Sequence, residues 1–181
     1  MKKSKETDLG GCFVALDFET ADYGRDSACA LSIVLINRLQ IAEQKQFMIR
    51  PPRKNIIFTD LHGISWSDVS GMPDFKGHWP EINKMLKWVS FIAAHNAKFD
   101  RSVMEACCKT ACIKKTTHPY LCTVKLARHT WNIFPTKLPD VCRMLKIELK
   151  HHDACSDALA CAKIVLAAIQ KKIKIDSLLE S

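Results

Sequence analysis

The chain has 181 residues, 48% of them hydrophobic, enough for one core and cramped for two. Its 27 Lys and Arg against 19 Asp and Glu leave a net charge of +8, which fits a polyanionic partner better than an acidic protein. No run approaches the roughly 20 apolar residues of a membrane span. The nine cysteines, odd in number and without a secretory signal, read as reduced thiols of a cytoplasmic protein rather than as a disulfide framework.

In chain order, the charged opening reads as a mobile leader over residues 1–10, ahead of a single domain over 11–181. Residues 11–16 form a short apolar run rich in strand formers. Residues 29–37 and 41–49 read as two more strands, turning near Arg38-Leu39-Gln40, so the three suggest an antiparallel meander. Pro51-Pro52 stops the sheet. Residues 55–72 are a loop with a short helix opening at Ser65-Trp66-Ser67-Asp68, which resembles a capping box. Residues 75–87 carry Phe75, Trp79, Ile82, Met85 and Leu86 at helical spacing; residues 88–94 then read as a buried strand, and 98–108 as a helix through Phe99, Val103, Met104 and Ala106. Asp100 therefore falls in the first turn of a helix at the end of a strand, a common place for catalytic groups in α/β sheets. A short strand at 120–124 leads into a helix through His129. Helices over 138–145 and 157–171 complete a mixed α/β domain.

Within this frame, three short blocks bring acidic residues and one histidine against apolar sequence, where an unneutralised carboxylate is costly. Asp17 and Glu19 lie two apart, so an extended strand points both side chains to one face with Phe18 on the other. Their mutual repulsion favours a bound cation over chance. Asp100 supplies a third carboxylate. Asp157 opens a helix, with His152 on the loop before it, where an imidazole can take a proton while the carboxylate holds a metal. Asp157 as a plain helix cap and His152 as a solvent residue is the bland reading of that block taken alone. Oxygen ligands of this kind suit Mg²⁺ or Mn²⁺, and a basic protein holding two such ions is equipped for metal-assisted phosphodiester hydrolysis.

The blocks Asp17-Phe18-Glu19-Thr20, His95-Asn96-Ala97-Lys98-Phe99-Asp100 and His152-x4-Asp157, in this order, resemble the Exo I, Exo II and Exo III motifs of the DEDDh, or DnaQ-like, exonucleases. That family includes the proofreading epsilon subunit of bacterial DNA polymerase III. The likeness covers roughly residues 11–170, and three ordered motifs are far more specific than any one. The resemblance implies a ribonuclease-H-like fold, with a five-stranded mixed sheet flanked by helices and its first three strands antiparallel. It implies that two divalent metal ions, Mg²⁺ or Mn²⁺, are held by Asp17, Glu19, Asp100 and Asp157, and that His152 is the general base. It further implies release of nucleoside 5′-monophosphates from a free 3′ end. By the same analogy Thr20, His62, Asn96 and Phe99 line the pocket of the terminal nucleotide. His151 reads as a neighbouring loop residue, since only His152 has the family spacing.

Several features carry less. Cys107, Cys108, Cys112 and His118 contain no Cys-x-x-Cys pair, and packing is the better reading than zinc. Trp66, Trp79, Trp88 and Trp131 adjoin apolar runs and read as core. His78, His118 and His129 show no partner. Lys114-Lys115 and the cluster from Lys171 to Lys174 read equally as phosphate contacts or a solvated face. The expected activity is a two-metal 3′-to-5′ exonuclease on DNA with single-stranded 3′ ends. An enzyme trimming RNA or short oligoribonucleotides is the alternative, and a non-catalytic nucleic-acid-binding module is the more distant one. The chain ends soon after Lys171, so a stand-alone nuclease is expected, and nothing points to a polymerase partner.

Overall fold

The first apolar run becomes β1 (Cys12–Thr20) in a computed structural model that describes residues 11–181; the leader expected over 1–10 lies outside the described residues. Phe13, Val14, Ala15 and Leu16 are wholly buried. A strand covered on both faces reads as a continuous apolar run rather than an alternating one. β2 (Ala28–Asn37) pairs antiparallel with β1, and β3 (Gln40–Met48) antiparallel with β2. The β2–β3 turn places Arg38 and Leu39 at φ 50° and 63°, the left-handed pair that suits the twist of a tight hairpin.

On the other side of β1, β4 (Ile92–Ala94) and β5 (Tyr120–Cys122) add in parallel, and β6 (Leu179–Glu180) closes the edge antiparallel to β5. The order is β3-β2-β1-β4-β5-β6. The mixed sheet and the antiparallel first three strands are as expected, but the described residues form six strands rather than five. A two-residue edge strand is too short to show any period in sequence.

Helices cover both faces. α3 (Phe75–Leu86) and α4 (Ala97–Thr110) pack on Val14, Leu16 and Phe18. α5 (Thr123–Trp131), α6 (Leu138–Leu145) and α7 (Ala154–Gln170) pack on Phe13 and Ala15. Two single-turn helices, α1 (Thr59–His62) and α2 (Trp66–Val69), sit in the segment between β3 and α3. α2 carries the expected capping box between Ser65 and Asp68.

Several local readings are corrected by the structure. The strand expected over 88–94 shrinks to Ile92–Ala94, and Trp88, expected in the core, is 78% exposed in the turn after α3, with Lys87 Nζ 5.1 Å from its ring. Trp66, Trp79 and Trp131 do pack against core clusters. α7 begins before Asp157: the Asp153 side chain caps it by accepting the Ser156 N–H at 3.1 Å, so Asp157 lies one turn inside. His78 has a partner after all, the Met48 carbonyl at 2.9 Å, and so has His118, whose Nδ1 meets Thr116 Oγ1. The cysteines follow the bland reading: all nine are free thiols, six of them buried, and Cys107, Cys108, Cys112 and His118 do not converge among the described residues. No helix there is long and apolar enough to cross a membrane.

Candidate active site

The alternation that sends Phe13 and Ala15 toward α7 carries Asp17 and Glu19 to the same side of β1. There α7 brings up Asp157, 4% exposed. Asp100 arrives from the other side of the strand. Val14 donates its N–H to the Phe91 carbonyl at 3.3 Å, so the N–H of residue 18, four along, points the same way. β4 pairs with β1 only at Val14 and Ala15, leaving the Phe18 N–H beyond the reach of that strand. α4 starts just after β4, and Asp100 in its first turn accepts the Phe18 N–H through Oδ1 at 3.2 Å. A short strand followed at once by a helix thus turns an open strand edge into a seat for a carboxylate.

The four acids converge in a poorly solvated place, and each is pushed up. Burial, then Asp100, Glu19 and Asp157, hold Asp17 well above the usual carboxylate range. Burial, then Asp157 and Asp153, raise Glu19 to about 7. Burial raises Asp100 to about 8, against the opposing hydrogen bonds from Phe18 and its own N–H. Burial raises Asp157 too, opposed by His151 and the His152 N–H. Asp157 Oδ1 is buried with no hydrogen-bond partner. Crowded, desolvated carboxylates with an orphaned oxygen are what a hard divalent cation satisfies, so the residues present fit the ions the motifs imply.

The histidines sort by what their nitrogens do. His152 takes a left-handed conformation, φ 64°, uncommon for a residue with a Cβ. It is held there by its N–H on Asp157 Oδ2 at 3.2 Å and by its ring stacked 3.8 Å from that of His151. Burial, then His151, lower its affinity for a proton, so it stays neutral near pH 7, as a proton acceptor must. His151 is more than a loop neighbour: its Nδ1 lies 3.1 Å from Asp157 Oδ2, and ligand atoms of His151, His152 and Asp157 fall within 4.8 Å of one another.

His95 is structural. Its Nε2 donates to the Thr136 carbonyl at 3.0 Å and its Nδ1 meets Thr123 Oγ1 at 2.9 Å, while burial lowers it to about 4. It joins the end of β4 to the start of α5 as a neutral ring.

Beside the acids lies a cleft of about 290 Å³. Of the residues expected to contact substrate, Thr20, His62 and Phe99 line it and Asn96 does not. Asn96 is the exposed N-cap of α4, at φ 67°. His62 donates from Nε2 to the Thr20 carbonyl at 3.2 Å and accepts the Ile64 N–H on Nδ1 at 3.1 Å. Both nitrogens are committed, so it offers the cleft a ring face rather than a base. Phe99 reconciles its two readings, packing against the core while lining the cleft. Phe58 and Leu61, also in the lining, were not picked out from sequence. The usable signal was Gly63, whose φ of 77° ends α1, since glycine after a short polar-apolar run marks a helix stop.

A family model described as an RNase T exonuclease matches residues 14–165. The chain belongs to this exonuclease family. Among curated relatives, the PolC-type DNA polymerase III of Thermotoga maritima is 29% identical over 174 residues, 93% of this chain but 13% of its own length. That of Bacillus cereus is 26% identical over 176 residues, 90% of this chain and 12% of its own. The chain thus spans about an eighth of the curated relatives it matches. Among solved structures, exonuclease X in complex with 5′-overhanging duplex DNA superposes with a TM-score of 0.74 at 20% identity, over 92% of this chain and 96% of that one. The nuclease domain of 3′hExo, a DEDDh family member bound to rAMP, gives 0.78 at 16%, over 94% and 96%. These likenesses establish the exonuclease family's ribonuclease-H-like fold for this chain.

Proposed function

We propose that this single domain, residues 11–181, is a two-metal 3′-to-5′ exonuclease that removes nucleoside 5′-monophosphates from single-stranded 3′ ends of DNA. The observation that carries the reading is the convergence of Asp17, Glu19, Asp100 and Asp157, all pushed above the usual carboxylate range, beside a cleft that reaches His152. Membership of the exonuclease family supports it. DNA as the substrate is supported by the DNA polymerases among the relatives. The net charge of +8 suits a phosphate backbone, and nine free thiols suit a reducing compartment such as the cytoplasm.

Asp17, Glu19, Asp100 and Asp157 would hold Mg²⁺ or Mn²⁺, which when bound neutralise the carboxylates and stabilise the entering and leaving oxygens of an in-line displacement. The chain's own residues do the rest. The neutral imidazole of His152 accepts a proton from the attacking water. The His151 ring and the Asp157 contact with the His152 N–H hold it in an otherwise disfavoured backbone conformation. Thr20, His62 and Phe99, which line the cleft beside the acids, receive the terminal nucleotide. Asp17→Asn should abolish mononucleotide release from labelled DNA while leaving the fold intact, and excess chelator should do the same to wild type. Full release under chelation would overturn the reading, and faster release from the matching RNA would overturn the choice of DNA.

A further inference from the structure

The β1–β2 loop is built more rigidly than a connection needs. The Asp22 side chain accepts the Gly24 N–H at 2.7 Å, and the Ser27 hydroxyl donates to the Gly24 carbonyl at 2.6 Å. Across it lies Arg53, with Nε on Asp22 Oδ2 at 2.7 Å and Nη2 on Asp26 Oδ1 at 2.6 Å. Gly24 is the seat of that guanidinium. A Cβ there would meet Arg53 Nη2 at 2.5 Å and the two carboxylates at 2.9 Å, closer than real Cβ contacts come, so a larger residue would push the guanidinium and its carboxylates out of this arrangement. The loop is also tied to the cleft wall, where the Ile57 N–H donates to the Ala21 carbonyl at 2.8 Å.

What this clamp presents is an aromatic ring and a cation. Tyr23 is 83% exposed, and its ring meets Phe58 edge to face at 5.0 Å. Phe58 lines the cleft, as does Leu61, itself 52% exposed. Arg25 stands with its guanidinium 4.5 Å from the centre of the Phe99 ring, another lining residue, and close enough to Asp100 to oppose the rise of its pKa. The acids flanking Arg25 are engaged by Arg53, whereas Arg25 forms no ion pair among the described residues. A fixed, exposed aromatic beside a free cation, continuous with a nucleotide cleft, is the arrangement that stacks bases and follows a phosphate backbone.

We propose that Tyr23 and Arg25 form a binding subsite for the nucleotide on the 5′ side of the terminal one, with Tyr23 stacking on its base and Arg25 pairing with its phosphate. Arg53 and Gly24 are positioning residues for the subsite. The inference rests on the exonuclease reading and deepens it: the preferred substrate is a single strand of at least two nucleotides whose penultimate base is unpaired and free to stack.

The test compares a single-stranded DNA oligomer with the p-nitrophenyl ester of thymidine 5′-monophosphate, which fills only the terminal position. Tyr23→Ala should raise KM on the oligomer about tenfold and so lower the ratio of oligomer to ester kcat/KM by the same factor, while kcat on the oligomer stays near wild type. Tyr23→Phe should keep the wild-type ratio. Arg25→Ala should flatten the dependence of log KM on log salt by about one phosphate contact. Arg53→Ala, which releases the loop, should reproduce part of the Tyr23→Ala loss. An unchanged ratio in Tyr23→Ala overturns the subsite; because Tyr23 is so exposed, folding does not cloud that result. Wild-type protein that turns over neither substrate would instead overturn the exonuclease reading beneath it.

Discussion

Replacing Asp100 with Asn should stabilise the metal-free protein, increasingly so at higher pH. Asp100 is 2% exposed, and burial pushes its carboxyl from 3.8 to about 8. An acid raised on folding contributes its full stability below the unfolded value and loses it as pH climbs toward the folded one. Each pH unit in that window costs ~1.4 kcal/mol, because the unfolded chain gives up the proton that the buried carboxyl keeps, so the ceiling at pH 8 is ~6 kcal/mol. Proton sharing with Asp17 spreads the cost over the cluster, and a gain of ~2–4 kcal/mol for the variant is expected there, shrinking toward pH 5. Asn keeps an oxygen to accept the Phe18 N–H. The assay is urea unfolding in chelator across pH 5–8, followed by the fluorescence of the four tryptophans and compared at equal m-values. His95, lowered to about 4, works oppositely, losing stability as pH falls from 6.5, but it is common to both proteins and cancels in the difference. A gain that does not grow with pH would refute the desolvated cluster.

Other outcomes follow from the same geometry. His152→Ala should cut kcat by about 10²–10⁴-fold with little change in DNA binding, and His151→Ala should cost far less; the reverse order in steady-state assays would exchange their roles. His95→Ala strips partners from Thr123 and Thr136 and should lower stability by ~1–3 kcal/mol, visible as a fall in the urea midpoint; an unmoved midpoint would deny it the bracing role. Mg²⁺ at 100 times its Kd should stabilise wild type by ~2.7 kcal/mol at pH 8. Asp157→Asn should lose most of that gain in a thermal melt, and a full gain in the variant would remove Asp157 from the ligand set.

Much of the site was legible because its residues sit on regular elements. The period of two made Asp17 and Glu19 neighbours on one face, and the apolar run beside them is the doubly covered β1. The helical spacing after residue 98 placed Asp100 in a first turn, as found. What escaped lay in pieces too short for a period to show. Phe58 and Leu61 reach the cleft through a segment holding the four-residue α1, β6 has two residues, and Trp88 falls in a turn whose apolar flank imitates a longer strand. Asp157 reads in sequence as the residue that opens α7, but the cap is Asp153, whose contact with Ser156 spacing alone does not reveal. The ring of His151 on Asp157 is a tertiary contact that spacing alone does not reveal.

The central claim, directional hydrolysis from a 3′ end at the carboxylate cluster, is tested most directly by offering purified protein with Mg²⁺ a 5′-labelled linear single strand, the same strand with a 3′-phosphate, and a closed single-stranded circle. The linear strand should shorten in one-nucleotide steps. The 3′-phosphorylated strand should persist, because its added charge would sit against Asp17 and Glu19, and the circle should survive intact. Asp17→Asn should leave all three untouched. Cutting of the circle by wild type would contradict the account, whatever the metal dependence.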